Sequence, residues 1–112
     1  MTTRQEIADA LSEIPGFSGS SYRPSVVTTG NAWPQLTNLQ RDEAHNFIKV
    51  WSIYLVGPQQ DDQTFGTWFD ANAEDIAEAL IDVVFVDGIE PVKVAVPNSG
   101  DLYAIAITAR SE

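Results

Sequence analysis

The stretch from His45 to Val56, HNFIKVWSIYLV, constrains the fold more than any other part of the chain. In an extended strand Phe47, Trp51, Ile53 and Leu55 fall on one side, and Ile48, Val50, Tyr54 and Val56 on the other. Neither side reads as a solvent face, so the strand needs cover twice over. Trp33 to Gln40 precedes it across the polar run Arg41-Asp42-Glu43-Ala44, and the two segments predict a β-hairpin. Twelve extended residues span about 40 Å at about 3.3 Å each. A chain of this size has a radius of gyration of only about 13 Å, so part of the hairpin is expected to project as an arm.

The flanking segments supply the cover. Thr3 and Glu6 form a capping pair, and Ile7, Ala10, Leu11 and Ile14 recur at helical spacing until Pro15-Gly16. Gly19 to Pro24 reads as a short extended piece, followed by a loop from Val26 to Asn31. From Gln63 to about Asp82, Phe65, Trp68, Phe69, Ala73, Ile76, Ala77 and Leu80 form one apolar stripe, with Asp61, Asp62 or Thr64 able to cap it. Val83 to Val96, interrupted near Asp87-Gly88, and Asp101 to Ala109 read as two strands joined by a turn at Pro97 to Gly100. The order is that of a single α+β domain over 1–112, in which the long helix packs across one face of a mainly antiparallel sheet. Tyr103, Ile105 and Ile107 oppose Leu102, Ala104 and Ala106, so the last strand is also apolar on both sides. Either the first helix covers the second face or another copy of the chain does.

The chain holds 16 acids against 6 Lys and Arg, a formal net charge of −10, and no cysteine. The missing thiols exclude disulfides, thiol catalysis and zinc sites that depend on sulfur. Between Val50 and Val92 there are acids but no Lys or Arg, and the six cations are scattered. Such a surface repels phosphate, so a DNA-gripping role is excluded. No apolar run approaches the roughly 20 residues a bilayer requires, and the N-terminus is acidic where a signal peptide is apolar; a soluble, unexported protein without membrane contact is expected.

Catalytic chemistry finds little footing. His45 is the one imidazole and reads as a solvated turn residue. Asp70, Glu74 and Glu78, at i, i+4 and i+8, form a carboxylate row opposite the apolar stripe; a wet helix face explains it better than a metal site, which draws on converging loops. No phosphate-cradling glycine pattern exists, and no cofactor is expected. Trp51 and Trp68 lie on apolar faces and read as core, whereas Trp33, after a polar loop and before Pro34, suits either an interface or packing at the hairpin base.

Several segments carry a family pattern: Thr3 to Leu11 (TRQEIADAL), Tyr22-Arg23-Pro24, Ala32 to Leu36 (AWPQL), the Phe47-x-x-x-Trp51 strand, Ile89 to Val92 (IEPV) and Gly100 to Glu112 (GDLYAIAITARSE). Together they resemble the tail terminator proteins of siphophages infecting actinobacteria, often labelled minor tail proteins. The resemblance implies a non-enzymatic virion subunit that forms a hexameric ring and assembles in the host cytoplasm. That ring caps the completed tail tube at its head-proximal end and joins it to the head-side connector or stopper protein. DNA would pass through the lumen without specific binding, helped by acids that repel it. Candidate subunit contacts are Trp33, Pro34, Arg41, Asp42 and Glu43 on or near the hairpin, with Arg23 and Arg110 as cations for a neighbour's acidic face. The alternatives are another tail-tube or neck component and, more distantly, a small α+β enzyme or ligand-binding domain with a pocket at His45.

Overall fold

The computed structural model describes residues 2–41, 47–58, 60–97 and 100–112. Helix α1 (Arg4–Ser12) begins where the Thr3 side chain accepts the Glu6 N–H at 3.2 Å. Strand β1 (Ser18–Gly19) follows, then β2 (Asn31–Arg41) and β3 (Phe47–Val56). Helix α2 (Asp62–Ala79) is capped by Asp61, whose carboxylate accepts the Thr64 N–H at 3.2 Å. Strands β4 (Phe85–Val96) and β5 (Gly100–Ser111) complete an α+β fold with one five-stranded sheet in the order β1-β2-β3-β5-β4. All pairings are antiparallel except the two-residue β1–β2 contact.

The extended piece expected from Gly19 to Pro24 is a strand only at Ser18–Gly19. Gly19 makes that short pairing possible: a Cβ there would collide with the Ala8 carbonyl, so only glycine lets α1 lie this close to the sheet. Beyond Ala32 the outer side of β2 has no partner strand, which is why Pro34, with no N–H to give, fits inside it. Pro91 likewise lies on β4, the opposite edge.

Two bulges set the strand phases. Between Leu36 and Asn38 the register with β3 shifts by one residue, and the Thr37 hydroxyl at that point donates to the Val50 carbonyl at 3.0 Å. A second bulge lies between Val86 and Gly88, at the interruption expected near Asp87-Gly88. Each inserts a residue that bends its strand and strengthens the twist.

Both helices cover the same face. Ile7 and Leu11 from α1 meet Phe65, Ile76 and Leu80 from α2 over Trp51, Ile53, Leu55, Ile105 and Ile107. The expectation that α1 covers the second face is thus corrected: Val27, from the loop after β1, and the far end of the β4–β5 hairpin cover half of it. Val94 and Val96 pack with Trp33, Val56 and Ala104 in one cluster, although β3 and β5 separate β4 from β2 within the sheet. The hairpin end therefore bends over the face. On the other half Ile48, Val50 and Ala106 stay half-buried.

The expected arm is short. The β3–β5 pairing stops at Lys49↔Ser111, so Phe47 and Ile48 pair only with Arg41 and Gln40 on β2. A long strand is accommodated because the molecule is elongated, 46 × 29 × 20 Å, with a Cα radius of gyration of 14.0 Å.

Candidate functional site

Functional surface in this chain is a matter of which apolar side chains the fold fails to cover. At the β2–β3 tip, the bulge turns Leu39 and Arg41 toward the helix-bearing face, where they join Phe47 beyond the reach of both helices. Leu39 is 50% exposed and Phe47 53%. The Arg41 guanidinium lies 5.0 Å from the centre of the Phe47 ring, within cation–π range.

A groove of about 560 Å3 opens at the same end of the sheet but at its other lateral edge, between the last turn of α2 and the outer ends of β4 and β5. Ile81, Val84, Phe85 and Val86 give it an apolar floor, and Glu78, Asp82 and Glu112 stand around it. Ile81 is 71% exposed and Phe85 63%, well above the burial such side chains usually find. Ile81 follows the helix after its cap and sits off the stripe that buries Leu80, so α2 cannot fold it inward.

The seven contact candidates do not form one patch. Arg110 lines the groove, where Nε donates to Asp87 at 2.9 Å and the guanidinium lies 4.8 Å from the Phe85 ring centre. Arg41 is at the hairpin tip. Asp42 and Glu43, like His45, lie outside the described residues. Arg23 sits on the second face, donating to the Ala95 carbonyl at 2.9 Å and ending 5.6 Å above the Trp33 ring.

Trp33 and Pro34 are corrected as contact residues: both are buried inside the subunit, Trp33 with only 2% exposed. The bent β4–β5 hairpin closes over Trp33, and Tyr54 stacks on it at 5.6 Å. Of the two readings left open for Trp33, packing at the hairpin base is the observed one. Its indole Nε1 has no acceptor among the described residues, whereas Trp51 Nε1 donates to Ser111 Oγ at 2.8 Å. Beside Trp33 lies a second hollow of about 210 Å3, lined also by Arg23, Gln35 and Tyr54.

Asp70, Glu74 and Glu78 are all exposed along α2, as a solvated row should be. Among the described residues no helix is long and apolar enough to cross a membrane. Sequence reasoning missed Leu39, Ile81 and Phe85 as outer surface and counted Phe47 with the core face. A usable signal existed for Ile81, an isoleucine one position past the stripe residue Leu80.

Compared with models of known protein families and with curated proteins, the chain matches none.

Proposed function

We propose that this chain is a structural virion subunit that closes with its own copies into a ring, six in number by the resemblance, at the head-proximal end of a siphophage tail. There it would terminate the tube and join the tail to the head-side connector, acting as a shaped joint without catalysis. One observation carries the reading: the subunit leaves large apolar side chains exposed at two different lateral edges of one sheet, Leu39 and Phe47 on one, Ile81 and Phe85 on the other. Two unlike adhesive edges on one subunit suit a head-to-tail contact, which rotation closes into a ring. The open outer sides of β2 and β4 add backbone groups able to pair with a neighbour. The α+β fold agrees with the family resemblance carried by the Tyr22-Arg23-Pro24, Ala32 to Leu36 and Gly100 to Glu112 segments.

The net charge of −10 per copy suits a lumen through which DNA slides without sticking. Light scattering with negative-stain imaging, with and without purified tails, tests the proposal. Single or paired rings at one tail end are expected. Long stacked tubes would move the chain to the tube-subunit class, and a lone particle at every concentration, absent from virions, would remove the reading.

A further inference from the structure

We infer that the hollow beside Trp33 is a carboxylate-binding site, where the Arg23 guanidinium and the Trp33 indole N–H donate to the oxygens of one ionised acid. The site is complete within one subunit, whether or not a ring closes.

Arg23, in the loop after β1, reaches both walls of this hollow of about 210 Å3. Its Nη2 donates to the Ala95 carbonyl on β4 at 2.9 Å, and its guanidinium carbon lies 5.6 Å from the centre of the Trp33 ring on β2. In a chain of net charge −10, the lining holds two of the six cations, Arg23 and Lys93, and among the described residues no Asp or Glu. The Lys93 ammonium is held 5.2 Å from the centre of the Tyr103 ring, so the charge on offer is that of Arg23. A guanidinium and an indole are donors only. Ala95 takes one guanidinium N–H, and Trp33, 2% exposed, has no acceptor for its Nε1 among the described residues. Tyr54 stacks on the indole ring and Arg23 lies over it, and neither contact serves the N–H. A buried donor without an acceptor is costly, and native structures seldom keep one without a reason. Two neighbouring donor-only groups, one of them charged, call for an acceptor-only anion, which is what an ionised carboxylate is. Arg110 already has such a partner in Asp87, whereas Arg23 meets no carboxylate among the described residues. The acids outside those residues, Asp42 and Glu43, follow Arg41 in sequence, and Arg41 lies about 26 Å along β2 from Trp33 at about 3.3 Å per residue.

The indole proton of Trp33 reads the site directly in a nitrogen–proton NMR spectrum. Trp33→Phe identifies its signal, and the signal of Trp51, whose Nε1 donates to Ser111 Oγ, reports that each variant keeps the fold. In the dilute protein, sodium butyrate, a carboxylate on a short stem like that of glutamate, should move the Trp33 signal downfield and saturably. Sodium chloride at equal ionic strength should leave it in place. Arg23→Gln should weaken the response to butyrate about tenfold or more. Protein concentration tells the two sources of the acid apart: a free acid acts on the dilute subunit, whereas an acidic side chain of another copy moves the signal on concentration alone, and only where Arg23 is present. A Trp33 signal indifferent to both butyrate and concentration, equally responsive to chloride, or as responsive in Arg23→Gln would overturn the assignment and leave a bound water as the acceptor of the indole.

Discussion

The two hairpins of this molecule are close in length and apolar content, yet toward its turn one buries apolar side chains that the other leaves exposed. The end of β4–β5 bends onto the second face, and Val94 and Val96 are buried against Trp33 and Val27. The end of β2–β3 runs past its last partner strand, leaving Leu39 and Phe47 half exposed. Apolar residues in a hairpin therefore do not report by themselves whether they serve the subunit or a neighbour; the cover available at that end of the sheet decides.

The two hairpin ends respond most differently to an introduced charge. Val94→Asp should destabilise the isolated subunit by about 3 kcal/mol or more, because it buries an unpaired carboxylate. Phe47→Asp should stay within about 0.5 kcal/mol, as surface substitutions do. Urea unfolding at a concentration too low for assembly reads both, and equal losses would erase the distinction. Next in size is Gly19→Ala. Its methyl group meets the Ala8 carbonyl and should cost about 2 kcal/mol, by forcing α1 off β1, in the same unfolding assay.

The two core tryptophans differ in the same way. Trp51→Phe deletes a donor bonded to Ser111 and leaves that hydroxyl without it, an expected loss of about 1–2 kcal/mol. Trp33→Phe, under the bent hairpin, removes a donor with no acceptor among the described residues, so its lost contact area is partly offset and its loss should be the smaller of the two. The smallest effect belongs to Asp87→Ala, which breaks a part-exposed ion pair with Arg110 and should shift stability by less than about 0.5 kcal/mol.

Much of the fold was legible from the residues. The i, i+3, i+4 spacing of Ile7, Leu11, Phe65 and Leu80 and the oxygen caps at Thr3 and Asp61 are local features, and they folded as read. Alternation along β3 and β5 correctly divided Trp51, Ile53 and Leu55 from Tyr54 and Val56. What covers each face was not legible, because it depends on contacts remote in sequence. Both helices take one side, and Val94 reaches Trp33 across two intervening strands. The same limit misplaced Trp33 and Pro34, whose polar sequence context says nothing of a hairpin end bending over Trp33, or of Pro34 falling on the other, helix-bearing face opposite Ile53. It also concealed the groove, whose floor at Ile81 and Phe85 joins a helix end to a strand start.

Thr37 carries a consequence out of proportion to its size. Upstream of it the even-numbered residues Ala32 and Leu36 face the helices; downstream the odd-numbered Leu39 and Arg41 do. One inserted residue thus acts as a phase shifter, sending the same strand into the core along one half and onto the outside along the other, with both aimed in the same direction. A single-codon deletion of Thr37 would straighten this strand into regular pairing yet keep Leu39 and Arg41 opposite Lys49 and Phe47, on the side they now face.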